Sequence, residues 1–194
     1  PDVLLLDEPL SALDARLRTE LRVEIKSIQR ELGITTVYVT HDQAEALALS
    51  DRVAVMRNGQ VLQVDTPERV YRQPASRAVA EFIGDNNVFE GVVHDNGTRF
   101  DVGGTRLPLP QEADPCPGES LAVAVRPEAI SIRASPADDE ATLPATVETV
   151  EFLGDAYRVH CRCDGRPVVV KTAASTPPDG AVELAFDPAD VHVL

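Results

Sequence analysis

Two adjacent carboxylates, Asp7 and Glu8, close the apolar run at residues 3–6, and a lone imidazole, His41, closes a second run at residues 37–40. A short continuous apolar run reads as a strand buried on both faces. Groups at the carboxyl ends of such strands face the crevice where open α/β sheets take their ligands. Asp7 is a hard oxygen donor suited to Mg²⁺, directly or through its water shell. Glu8 can take a proton from, or orient, a water attacking a terminal phosphate. His41, on a neighbouring strand, can contact that phosphate and align the same water. Each group alone has an ordinary explanation. Asp-Glu-Pro is a common strand exit, and a histidine at a strand end is most often a surface or capping residue. The apolar run before the carboxylates and Ser11-Ala12-Leu13-Asp14 after them favour the phosphate chemistry.

The elements that must place these groups alternate between strand and helix. Asp14 offers a helix N-cap, and also reads as a loop group meeting a partner subunit; the two roles are compatible. Gly33 supplies the C-terminal stop. Between them Leu17, Leu21, Ile25, Ile28 and Leu32 recur at helical spacing and leave the opposite face charged. The β-branched and aromatic run at residues 35–39 predicts the next strand. Asp42 can cap a short helix over residues 43–49. Asn58-Gly59, flanked by apolar runs at 52–56 and 60–64, is a hairpin signal. Thr66-Pro67 opens a helix with proline at its first position, and a further helix is expected over residues 76–83.

After Gly84 the texture changes. Short β-rich runs at 88–93, 121–125, 129–132, 145–152, 157–163, 167–171 and 182–186 are punctuated by Gly, Pro and Asp, and residues 135–140 read as a solvated loop. The pattern predicts a small all-β barrel or sandwich, with a boundary near Asn87. The expected organisation is therefore an α/β segment over residues 1–87 and an all-β domain over 88–194. Forty-three per cent of the 194 residues are apolar, enough for a packed core, and no run approaches a membrane span. The first segment carries fourteen acidic against ten basic residues and the second eighteen against eight, within a net charge of −14. So acidic a second segment repels a phosphate backbone, which argues against a nucleic-acid partner. Three cysteines do not suggest a disulfide framework. Cys161 and Cys163 stand two apart and read as ordinary strand residues rather than metal ligands. A start at Pro1, without methionine, gives the expectation of a piece of something longer.

One half of a phosphate site is not in the sequence. Gly-x-x-x-x-Gly-Lys-Ser/Thr occurs nowhere, and neither of the two lysines, Lys26 and Lys171, follows a glycine. That loop would supply the backbone amides and the lysine that hold β and γ phosphates. Positioning and charge stabilisation carry most of phosphoryl transfer, so the chain alone is expected to be inactive or nearly so.

These residues resemble a known family. Val3-Leu4-Leu5-Leu6-Asp7-Glu8-Pro9-Leu10-Ser11-Ala12-Leu13-Asp14 is similar to the Walker B strand and D-loop of ATP-binding cassette (ABC) transporter ATPases, and Val39-Thr40-His41-Asp42-Gln43-Ala44-Glu45-Ala46 to their switch-histidine region. Residues 60–71, Phe82-Ile83-Gly84, Asn87 and Phe89-Glu90-Gly91 resemble the tail of this domain in importers. Arg126-Pro127-Glu128, with Glu151-Phe152-Leu153-Gly154-Asp155, resembles the accessory OB-like β region called TOBE. The resemblance implies the C-terminal part of a P-loop NTPase domain followed by an all-β TOBE domain. It implies ATP and Mg²⁺ as ligands, Asp7 supporting the metal, Glu8 as catalytic base, Asp14 in the D-loop and His41 as switch histidine. It implies a homodimer with ATP between subunits, docked on transmembrane permease subunits at the cytoplasmic face of the membrane and served indirectly by a substrate-binding protein. The Walker A loop, Q-loop and signature motif are departures from the pattern.

The Phe-Ile-Gly-x-x-Asn-x-Phe-x-Gly stretch looks more like importers of ferric iron, sulfate, molybdate or polyamines than of sugars, with a sugar importer kept as an alternative. Two other readings stand beside it. A DNA-associated ATPase shares the Asp-Glu and His motifs but not a long acidic β tail. A TOBE-type oxyanion-binding module would centre on residues 88–194, with Arg126 its most suggestive cation, although a carboxylate such as Glu128 is the readier partner for that arginine.

Overall fold

The computed structural model describes residues 2–110, 113–133 and 142–194; the 135–140 stretch expected as a loop lies outside them. The backbone divides into two compact units, Pro1–Gln73 and Pro74–Leu194.

The first unit runs β1 (Val3–Asp7), α1 (Ala15–Leu32), β2 (Thr35–Val39), α2 (Gln43–Leu49), β3 (Val53–Arg57), β4 (Gln60–Asp65) and α3 (Pro67–Arg72). Strands β1 and β2 pair in parallel, from Val3 opposite Thr35 to Asp7 opposite Val39. A parallel pair needs a long crossover, and α1 supplies it. Asp14 caps α1 by accepting the N–H groups of Arg16 and Leu17 at 3.0 Å each. Gly33 ends it in the left-handed region at φ 61°, donating to the Gln29 carbonyl at 3.0 Å. Strands β3 and β4 form the expected hairpin, with both turn residues, Asn58 and Gly59, at positive φ (52° and 75°).

The expectation that residues 3–6 are buried on both faces is not met. Leu5 is 72% exposed, Val3 and Leu4 are also exposed, and α1 has no buried residue. The reason is the width of the sheet: β1 and β2 form a two-stranded layer, and among the described residues nothing flanks or covers it as the apolar pattern requires.

The second unit begins with α4 (Arg77–Phe82) and continues with strands β5 (Asn87–His94), β6 (Arg99–Val102), β7 (Thr105–Pro108), β8 (Ser120–Val125), β9 (Ser131–Arg133), β10 (Leu143–Phe152), β11 (Tyr157–Cys163), β12 (Arg166–Thr172), β13 (Ala181–Ala185) and β14 (Val191–Val193). They form two five-stranded antiparallel sheets, in the orders β14-β8-β5-β6-β7 and β12-β11-β10-β13-β9. Inward residues at alternate positions fill one core: Phe89, Phe100 and Val123 from the first sheet, Val159, Val170 and Leu184 from the second. The sequence reading found most of these strands but not β6, β7 or β14, which are three or four residues long. Ala129, read as the start of a strand, belongs to a short 3-10 turn ahead of β9. Gly91 has no room for a side chain, because a Cβ there would lie 1.9 Å from the Asp101 carbonyl oxygen on β6.

The division after Gln73 differs from the boundary read at Asn87, and the joint explains why. Asn86 donates to the carbonyls of Ala80 (2.7 Å) and Ile83 (3.2 Å), closing α4. Arg126 reaches the Ile83 carbonyl at 2.7 Å. Asn87 is 7% exposed and exchanges two hydrogen bonds with the Val169 backbone, at 2.8 and 2.7 Å, linking β5 to β12 of the other sheet. The segment from α4 to Asn87 is thus held by the β unit.

Replacing Asn87 by Ala strands both groups of Val169, and the β unit should lose about 1–3 kcal/mol, read as a lower urea midpoint with unchanged slope. Burial pushes the Cys161 thiol up to about 11 and raises that of Cys163 as well. Brief iodoacetamide treatment of the native chain should therefore label the exposed Cys116 and spare Cys161 and Cys163, which mass spectrometry resolves; all three should react in denaturant.

Candidate functional site

Strand β1 hands over to a turn at Glu8. The backbone there is left-handed, at φ 46°, a conformation that costs an L-residue roughly 1–2 kcal/mol. Three hydrogen bonds hold it. Glu8 N–H donates to the Val39 carbonyl at 2.8 Å, extending the β1–β2 ladder one step. The Glu8 carbonyl accepts from the Ser11 N–H at 3.2 Å and the Ser11 hydroxyl at 2.9 Å. The side chain is thereby brought to His41, with Oε1 3.4 Å from Nδ1. Both partners are open to solvent, so the pair adds little to stability.

Asp7 ends β1 in register with Val39, one residue before Glu8. Asp14 stands at the head of α1 with its carboxylate committed to the cap. The structure thus brings Glu8 and His41 together, sets Asp7 beside them in the chain, and uses Asp14 as a cap. The donor set fits Mg²⁺ in one respect: this ion needs one or two protein carboxylates when phosphates and water complete its shell. Among the described residues no cluster of three or more ligating side chains would hold a metal without them.

A polar cluster behind His41 was not read from the sequence. Glu45 on α2 is 2% exposed. It accepts hydrogen bonds from the Tyr38 hydroxyl at 3.0 Å and the Thr40 hydroxyl at 2.8 Å. Arg18 and Arg22, one turn apart on α1, face it at 3.7 and 3.9 Å and bind Asp42 at 3.3 and 3.2 Å. Burial, reinforced by the hydrogen bond to Glu45, drives the Tyr38 phenol well above its ordinary range. One signal was available: Arg18 and Arg22 share a helix face at four-residue spacing, with no acid nearby on that face to neutralise both.

In the β unit, Arg126-Pro127-Glu128 leads into the 3-10 turn, with Pro127 buried and Glu128 exposed. The partner of Arg126 Nη1 is the Ile83 carbonyl, so the motif latches α4 to the sheets.

A family model, the TOBE domain, matches residues 123–194. The sulfate/thiosulfate import ATP-binding protein CysA 2 of Chromobacterium violaceum is 46% identical over 177 residues, covering 91% of this chain and 48% of that protein. The spermidine/putrescine import ATP-binding protein PotA of Acetivibrio thermocellus is 40% identical over 194 residues, covering 100% and 54%. The sn-glycerol-3-phosphate import ATP-binding protein UgpC of Salmonella choleraesuis is 43% identical over 176 residues, covering 89% and 49%. The chain spans about half the length of the curated relatives it matches. A solved structure of the cytoplasmic molybdate-binding protein ModG with molybdate bound overlaps at a TM-score of 0.46 and 14% identity, over 55% of this chain and 94% of that one; so loose a likeness carries no argument. Similarity across both units, with a TOBE domain at the carboxyl end, makes this chain a member of the family of import ATP-binding proteins of ABC transporters.

Proposed function

We propose that the first unit is the hydrolytic edge of a P-loop ATPase domain and the second its regulatory β domain, in the subunit that energises an importer. The observation that supports this best is the 3.4 Å approach of Glu8 and His41 at the carboxyl ends of two parallel strands. In this reading Glu8 orients the attacking water and accepts its proton, and His41 contacts the terminal phosphate and keeps that water in line. Asp7 would hold Mg²⁺, directly or through its water shell, and the ion when bound would supply neutralising charge to the phosphates of ATP. Asp14 lies in a loop that faces a second copy of the subunit. The apolar faces left open on β1, β2 and α1 are covered by the remainder of a wider α/β sheet, which also supplies the phosphate-holding loop.

The working assembly in this proposal is a homodimer on transmembrane permease subunits at the cytoplasmic face of the membrane, receiving cargo from a substrate-binding protein. Among the described residues no helix is long and apolar enough to cross a membrane. The cargo is a small solute, either an inorganic ion such as ferric iron, sulfate or molybdate, or a polyamine. Relatives named for three different cargoes match this chain at 40–46% identity, so cargo choice rests with the permease and binding protein. An oxyanion-binding role for the β unit has less support, because three of its cations already meet partners within the chain: Arg126 the Ile83 carbonyl, Arg158 Asp85 and Arg162 Glu148.

In the full-length subunit, Glu8→Gln should lower ATP turnover about 100-fold or more while ATP binding persists; turnover near wild type would overturn the role of Glu8. The 194-residue chain alone should release no phosphate from ATP above background in a coupled assay.

A further inference from the structure

Glu45 is a buried carboxylate next to a histidine that is itself exposed. Charged groups leave water only when paired and hydrogen-bonded, so the contacts of Glu45 are specified rather than incidental. Oε2 accepts from Tyr38 and Thr40, and Oε1 faces Arg18 and Arg22. Thr40 immediately precedes His41. Its hydroxyl donates to Glu45 at 2.8 Å and accepts the N–H of Asp42 at 2.9 Å. One hydroxyl therefore pins both chain neighbours of His41. Asp42 is pinned again, since its Oδ1 caps α2 through Ala44 and Glu45 while its Oδ2 binds the two arginines. Arg18 also donates from Nη2 to the Leu13 carbonyl at 2.9 Å, tying the loop before Asp14 to the same cluster.

The magnitudes assign the direction of control. The His41–Glu8 contact is exposed, where such pairs hold side chains only weakly. The bonds behind it are charge-assisted and shielded, and roughly twice as strong as neutral ones. His41 cannot orient the cluster, but the cluster can orient His41.

We propose that Thr40 and Glu45 are positioning residues for His41: the Thr40 hydroxyl, anchored on buried Glu45, sets the path by which the imidazole leaves β2 toward Glu8. This rests on the reading that His41 and Glu8 act together on a terminal phosphate.

The test is NMR on the 194-residue chain, without nucleotide. In the wild type the backbone of residues 40–42 should be as rigid as β2, with N–H order parameters of about 0.85. Thr40→Val keeps the shape and removes the hydroxyl; the order parameters of His41 and Asp42 should fall below about 0.6, with strand shifts in β1 and β2 unchanged. Thr40→Ser should restore them. A rigid, wild-type-like His41 in Thr40→Val overturns the proposal. Should that variant unfold the first unit, Thr40→Ala takes its place. It removes the hydroxyl without setting a methyl against the buried Glu45 carboxylate, and an unchanged His41 order parameter there is equally fatal. The outcome is separable from that of the ATPase assay. Normal turnover in Glu8→Gln would end the hydrolytic reading and leave a rigid, Thr40-dependent His41 standing.

Discussion

The parallel register of β1 on β2 is the constraint on which the site depends. Asp7 lies opposite Val39, so the residues that follow, Glu8 on one strand and Thr40-His41 on the other, leave the sheet at the same level. A one-residue slip would send every side chain of the strand to the other face and separate Glu8 from His41. The register is extended by the bond from Glu8 N–H to the Val39 carbonyl, which belongs to the turn rather than the strand. The left-handed backbone of Glu8 is thus held by the pairing whose result it completes.

Local chemistry was legible in the sequence and tertiary chemistry was not. Asp14, Gly33, Asp42, Asn58-Gly59 and Thr66-Pro67 signal caps and turns whose partners lie within a few residues, and each does what its type and position suggest. Glu8 and His41 were legible because both end apolar runs. Glu45 was not, because its partners on α1 lie more than twenty residues away and its burial exists only once α1 and α2 meet. The same holds for Arg126, whose guanidinium meets a carbonyl 43 positions earlier. The short strands β6, β7 and β14 give too few alternations for a period to emerge, although Gly103-Gly104 marks the turn between the first two.

The β unit shows how a sequence motif can be structural in origin. Asn86 and Arg126 meet at the Ile83 carbonyl, closing α4 and docking it, and Asn87 beside them connects the two sheets through Val169. Arginine suits this place because its planar fork donates to a fixed carbonyl. Asparagine suits position 87 because one amide both donates and accepts, as a peptide group would.

Two features of the first unit act together on its behaviour in solution. Among the described residues its leucine- and valine-rich layer has two strands, and Leu5, Val37 and Val39 lie open on it. A strand edge with unused amides beside bare aliphatic surface is a template for adding another chain. As concentration rises, copies of this polypeptide will therefore stick to one another through β1 well before the acidic, fully layered β unit does, and a charged residue placed at Leu5 would keep such a preparation clear.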